Sequence, residues 1–196
     1  DLEQLVFELP QRAAIARAAF LVADSNREAV AVIDGFADWQ QPVQWIYGPS
    51  GAGKSHLADV LANQCHALTC VATDLDGADV SALLAGDATC DVLIIDRLDA
   101  LPKPCEEVLF HLLNYARHQS QKILLFSEQG AGQLPVGLPD LASRLKAIAA
   151  IALKSPDDSL MRGLLLKLFG DRQLKIEPRV VDYLLPRIER DYANIV

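Results

Sequence analysis

The chain alternates short apolar runs with longer segments in which apolar residues recur every three or four positions. Val43-Gln44-Trp45-Ile46-Tyr47 is the first short run and reads as a buried strand. His56 to His66 follows as a helix, with Leu57, Val60, Leu61 and Cys65 on one face. Ala67 to Thr73 predicts a second strand, and Asp76 to Leu84 a weak helix. Val92-Leu93-Ile94-Ile95 is a third strand that ends in Asp96. Pro104 opens a helix to Gln119 as its first-turn proline. Cys105, Val108, Leu109, Leu112, Leu113 and Ala116 share one face of it. Lys122 to Phe126 is a fourth strand, and Ile148 to Leu153 a fifth, buried one. A Gly/Pro-rich loop, Gly130 to Pro139, lies between them. Such alternation predicts an α/β fold: a parallel five-stranded sheet with helices on both faces.

The flanks read differently. Asp1 to Pro10 is a tail containing Gln4-Leu5-Val6-Phe7-Glu8-Leu9, whose spacing suits a strand or a linear peptide ligand. Ser25 and Glu28 match a capping box for a helix to Phe36, with Ala29, Val32, Ile33 and Phe36 on its apolar face. Ser155-Pro156-Asp157-Asp158 is a helix start: a cap, a proline, then acids at the positive dipole end. Leu160, Met161, Leu164, Leu165, Leu168 and Phe169 form the stripe of that helix, and Gly170 ends it. Pro178 and Asp191 start two more helices. The expected organisation is a tail over 1–19, an α/β domain over 20–154, and a helical domain over 155–196. That last domain reads as incomplete at Val196, and the opening Asp1 places the natural start upstream.

Composition narrows the function classes. The chain is 51% hydrophobic, enough for a sizeable core, yet no apolar run approaches the roughly 20 residues of a membrane span. No signal peptide is visible. The four cysteines form no C-x-x-C and no paired metal-ligand spacing, which suits small core residues in a reducing cytosol. Net charge is −8, unevenly spread. Residues 1–139 carry 8 Lys+Arg against 18 Asp+Glu, and residues 140–196 carry 10 against 8. An acidic body argues against strong non-specific DNA binding, which needs phosphate neutralisation.

The candidate chemistry sits between the first strand and its helix. Gly48-Pro49-Ser50-Gly51-Ala52-Gly53-Lys54-Ser55 fits G-x-x-x-x-G-K-[ST], the phosphate-binding P-loop. Its glycines let successive N–H groups point into one concavity at a helix N-terminus, where phosphate oxygens bind. Lys54 would reach the outer phosphates and Ser55 would ligate Mg²⁺. About 40 residues after a P-loop, an apolar strand tipped by Asp96 is the Walker B pattern, with the carboxylate facing the Mg²⁺ site.

In these motifs the sequence resembles the DnaA branch of the AAA+ ATPases over nearly its whole length. Lys54-Ser55-His56-Leu57 looks like that branch's extended P-loop, which brings His56 to the nucleotide. Phe20-Leu21-Val22 with Ser25-Asn26-Arg27 is similar to its adenine-contacting segment, implying base contacts at Leu21, Val22 and Asn26. Leu141-Ala142-Ser143-Arg144 looks like box VII, which implies an arginine finger at Arg144 acting on a neighbouring subunit. Ile188-Glu189-Arg190 looks like sensor II, implying a phosphate contact from Arg190. Ser127-Glu128 stands where sensor I belongs, either residue being placed to act. Within the branch, Leu138-Pro139-Asp140-Leu141-Ala142-Ser143-Arg144-Leu145 and the Gln-Leu tail are most similar to the Hda family of regulatory inactivators.

That resemblance implies a cytoplasmic, ATP- or ADP-binding AAA+ protein with a helical lid. It implies two partners, the DnaA initiator and the sliding clamp, the latter reached through Gln4, Leu5, Phe7 and Leu9. It allows a homo-oligomer and implies no membrane partner. One departure concerns catalysis. The initiators carry a second acid directly after the Walker B Asp, and here that residue is Arg97, with Asp99 farther on. An arginine cannot orient water as a carboxylate does, so weak or absent intrinsic hydrolysis is expected unless Asp99 or another acid substitutes. Three rival readings remain: a self-assembling AAA+ ATPase of the helicase-loader kind, a fragment of a DNA-binding initiator, and a nucleotide-stabilised scaffold with no finger function.

Overall fold

A computed structural model describes residues 21–86 and 89–188. Its centre is one sheet of five strands: β1 (Val43–Tyr47), β2 (Ala67–Val71), β3 (Val92–Asp96), β4 (Lys122–Ser127) and β5 (Ala150–Ala152). They lie side by side in the order β2-β3-β4-β1-β5, and every neighbouring pair is parallel. Around them run α1 (Arg27–Asp34), α2 (Lys54–Ala62), α3 (Ala78–Ala85), α4 (Lys103–Gln119) and α5 (Pro139–Lys146). The helices α6 (Asp158–Asp171) and α7 (Pro178–Leu184) follow the sheet.

The strand order decides which face each helix covers. From β1 the chain crosses two strands to reach β2, and α2 makes that crossing. It then returns through β3 and β4, and passes β1 to form β5, with α3, α4 and α5 as the return crossings. Parallel crossovers are right-handed, so opposite directions of travel put helices on opposite faces. The packing agrees. Ile46, Ile94, Leu124 and Phe126 meet α1 and α2 in one buried layer. Trp45, Leu93, Ile95, Ile123 and Leu125 meet α3, α4 and α5 in the other. Adjacent strand residues thus alternate between two cores, and the middles of β3 and β4, Val92–Ile95 and Ile123–Phe126, are apolar throughout because both faces are covered.

Several expected elements shift, each for a local reason. The box of Ser25 and Glu28 does not form. Helix α1 starts at Arg27 after Asn26, which makes no side-chain cap. Asn26 instead accepts from Ala23 N and donates to Leu21 O, closing the turn before the helix. Val30 rather than Val32 joins Ala29 and Ile33 in the core. Helix α6 is capped by Asp157, whose carboxylate accepts from Leu160 N at 2.7 Å, not by Ser155. It also runs one residue past Gly170, to Asp171. The fifth strand is not buried. It is only Ala150–Ala152, on the sheet edge, with both alanines exposed. Edge strands have one paired neighbour and a partly open face, and a short one limits pairing with other chains.

The cysteines behave as packing residues. Cys105 is buried in the core, and no described cysteine forms a disulfide. Burial pushes the Cys65 and Cys70 thiols up to about 11, away from the reactive thiolate. Among the described residues no helix is long and apolar enough to cross a membrane. The start expected at Asp191 lies outside the described residues, as does the tail over 1–19.

Candidate functional site

The P-loop lies at the C-terminal end of β1, beside the C-terminal ends of β4 and β3. Helix α2 leaves β1 on one face while α5 leaves β4 on the other. The crevice between those two strand ends is the place where doubly wound sheets bind ligands. Gly48 is clamped there. Its N–H donates to Ser127 O at 3.1 Å, while Leu153 N donates to Tyr47 O at 2.7 Å. A Cβ built on Gly48 would stand 2.1 Å from the Leu153 carbonyl oxygen. That oxygen is backbone, so it cannot move without pulling the end of β5 from β1. Gly48→Ala is therefore expected to destabilise the protein by about 3 kcal/mol or more. A urea midpoint unchanged from the parent would refute the close approach.

The other two glycines serve the turn itself. Gly51 has φ 72° and Gly53 φ 102°, a region that side-chain-bearing residues rarely adopt. Gly53 is also the N-cap of α2, and its carbonyl accepts from Leu57 N at 3.0 Å. Ala52 faces inward and joins the core with Leu57 and Ala58. The loop therefore has a buried anchor, and its outer residues line a cavity of about 690 Å³. Ser50, Gly51, Gly53, Lys54, Ser55 and His56 line it from the loop and α2. Asp96, Arg97 and Asp99 line it from the end of β3, and Ser127 and Glu128 from the end of β4.

Lys54 is the central charge. Its ammonium donates to Gly48 O at 2.6 Å and Pro49 O at 2.8 Å. Burial pulls its pKa below the usual lysine value, against the raising influence of Glu128, Asp96 and Asp99. A half-buried ammonium bonded to two carbonyls at a helix N-terminus gains strongly from an anion. Burial likewise holds the His56 imidazole below its usual pKa, opposed by Asp59 and assisted by Lys167.

The groups around it divide their work. Ser127 is fully buried, and its hydroxyl accepts from Trp45 Nε1 at 2.8 Å and donates to Gln129 O at 2.6 Å. Both bonds shape the end of β4. Glu128 is exposed on the cavity wall, and it is the acid that most strongly offsets the depression of Lys54. Asp99 accepts from Glu128 N and from Gln129 N, one bond to each carboxylate oxygen. It braces the loop after β4, a role the sequence did not reveal because its partners are backbone amides about thirty residues away. Arg97 has φ 55°, unusual for a residue with a side chain, and its N–H donates to Asp96 Oδ1 at 2.7 Å. Its side chain is exposed and on the cavity wall.

The residues present suit a nucleotide with its metal. Among the described residues no group of three or more His, Cys, Asp or Glu could hold a metal ion. Mg²⁺ in phosphate sites needs only one or two protein oxygens besides phosphate and water, and Ser55 and Asp96 offer a hydroxyl and a carboxylate on the same cavity.

Other expected site residues lie elsewhere. Leu21 packs on Leu160 and Leu164 of α6, while Val22 is half-exposed. The Asn26 amide is engaged with Leu21 and Ala23. Arg144 stands in the last turn of α5, which runs toward the N-terminal edge of the sheet, away from the P-loop. It lines a separate groove there with Gln41, Gln44 and Arg117, and its guanidinium lies 4.9 Å from the centroid of the Phe110 ring. Gln4, Leu5, Phe7, Leu9 and Arg190 lie outside the described residues.

Similarity to known proteins agrees with this geometry. No family model matches the chain. It is 26% identical over 170 residues to the chromosomal replication initiator protein DnaA 2 of Protochlamydia amoebophila, covering 78% of this chain and 37% of that protein. It is also 26% identical over 166 residues to an uncharacterized protein of Haemophilus influenzae, covering 81% of this chain and 72% of the other. The fold superposes on AMPPCP-bound DnaA from Aquifex aeolicus with TM-score 0.78 and 22% identity, over 91% of this chain and 62% of that one. The chain thus spans little more than a third of the length of the DnaA proteins it matches in sequence. With its parallel five-stranded sheet and a P-loop sequence at the end of β1, the chain has the AAA+ P-loop NTPase fold seen in the DnaA structures.

Proposed function

We propose that the chain is an adenine-nucleotide-binding regulator of replication initiation. With the sliding clamp, it promotes hydrolysis of ATP bound to a DnaA initiator. The observation that carries this reading is the separation of its two charged sites. Lys54 and Asp96 line the cavity at one end of the sheet, and Arg144 lines a groove at the other. An arginine so placed serves a neighbour's nucleotide rather than its own. Lys54 and the loop amides would hold the phosphates, with Ser55 and Asp96 holding Mg²⁺, which supplies charge neutralisation across phosphate oxygens. Arg97 supports a holding role over turnover. It occupies the position after Asp96 with a cation, and Asp99 is engaged by two backbone amides.

A second reading, a fragment of a DnaA-type initiator, is favoured by the 37% share of the DnaA relatives that the chain spans. One assay separates the two. ATP hydrolysis is followed for the chain alone, a DnaA initiator alone, and the two together with and without DNA-loaded clamp. Slow turnover by the chain alone and clamp-dependent acceleration of the initiator are expected. Replacing Gln4, Leu5 and Phe7 by alanine should remove the clamp dependence, since linear ligands bind through a few apolar anchors. Brisk turnover by the chain alone, with no effect on the initiator, would refute the regulator reading.

A further inference from the structure

A buried carboxylate outside the nucleotide cavity remains to be explained. Glu106, in the first turn of α4, is only 5% exposed. Its Oε1 accepts from Gly137 N at 2.9 Å and its Oε2 from Leu138 N at 2.6 Å. Those are the two amides just before α5, the helix that carries Arg144. We propose that Glu106 is a positioning residue for Arg144, setting helix α5 from the neighbouring helix.

The local sequence of α5 shows why an outside group is needed. Leu138 is its N-cap and makes no side-chain cap. Leucine is among the poorest residues at that position, and Pro139 at the first helical position has no N–H. Eight residues are too few to hold a helix by themselves. Leu141 and Leu145 seat it in the core, 0% and 1% exposed. Two leucines one turn apart define the buried face but resist a small roll or slide only weakly. The carboxylate supplies the missing fixed point. It receives two charge-assisted hydrogen bonds in a buried place and lies at the positive end of the helix dipole.

The same helix fixes the other end. Phe110 is four residues after Glu106, hence on the same face of α4. Its ring lies against the Arg144 guanidinium, at 4.9 Å. Glu106 and Phe110 therefore hold the beginning of α5 and its functional side chain from one rigid element of 17 residues. A small displacement of a catalytic group costs much in rate, so the clamp bears on turnover more than on association.

The proposal rests on the trans-acting role of Arg144 for its activity readout, and a second readout is independent of it. Glu106→Gln removes the charge and leaves one acceptor; Glu106→Ala removes both. Amide hydrogen exchange is measured on the full chain over residues 137–146, with the P-loop and the central strands as internal controls. Exchange in 137–146 should speed by about tenfold or more in both variants while the controls hold their rates. With the initiator and clamp, the maximal stimulated rate should fall by about ten- to a hundredfold, with the half-saturating concentration of this chain unchanged. Glu106→Gln should add nothing in an Arg144→Ala background. Unchanged exchange over 137–146, or loss of protection throughout the chain, overturns the proposal. So does a rise in the half-saturating concentration at an unchanged maximal rate. If Arg144→Ala itself leaves stimulation intact, the functional reading fails, and the exchange data still decide whether Glu106 sets α5.

Discussion

Lys54→Ala is expected to abolish most adenine-nucleotide binding, weakening it by about a hundredfold or more. A charge-assisted hydrogen bond contributes about 1.5–3 kcal/mol, and Lys54 would make more than one to the outer phosphates. The surroundings raise its importance. The ammonium is half-buried, its pKa is drawn down by desolvation, and it is bonded to Gly48 O and Pro49 O. It is already placed at the mouth of the loop, so little ordering is required of it when phosphate arrives. The variant also loses two bonds to the loop, each contributing about 1 kcal/mol, so a modest stability loss accompanies it. Titration calorimetry with ATP and ADP measures the first effect, and thermal unfolding without nucleotide the second. Affinity within threefold of the parent would mean that this P-loop does not use its lysine on a nucleotide.

The second large effect concerns Arg144. Arg144→Ala should keep this chain's own nucleotide affinity while reducing its stimulation of initiator-bound ATP hydrolysis by about 10³-fold, the lower end for arginine fingers. The guanidinium sits at the far end of the sheet from Lys54 and lies over the Phe110 ring, 4.9 Å from its centroid. A permanent charge with a planar fork of donors suits the oxygens of a transferring phosphoryl group, so Arg144→Lys should recover little. The competing view makes Arg144 a surface residue whose pairing with Asp140 would contribute only about 0–1 kcal/mol. The two views differ in the initiator's rate. Full stimulation by Arg144→Ala would leave Arg144 structural, and the proposed mechanism would fall with the fold untouched.

The elements of the α/β core were legible in the sequence because their patterns are local. Val43–Tyr47 and Val92–Asp96 are found where their apolar runs placed them, since a strand covered on both faces is apolar over its buried part. The P-loop was legible for a similar reason. Gly51 and Gly53 are needed for φ values of 72° and 102°, and a backbone requirement of that kind is written directly into residue type. Helix ends were less legible. Ser25 and Ser155 look like caps, but Asn26 and Asp157 hold those positions, because a cap depends on where neighbouring packing lets the first turn begin.

What only the tertiary structure decided is everything that joins distant segments. Nothing near Gly48 in sequence announces the Leu153 carbonyl that excludes a side chain there. The order β2-β3-β4-β1-β5 places β5 on the edge, so a run that reads as buried is largely exposed. Asp99 looked like a spare acid for the nucleotide site, and the fold engages both its oxygens on the amides after β4. Glu106 stands outside the apolar stripe of its helix in sequence, and the fold buries it under the start of α5. The physical reason is common to all four. Periodicity and turn chemistry report on contacts within a few residues, whereas a carboxylate or a glycine acquires its meaning from whichever backbone groups the sheet order brings beside it.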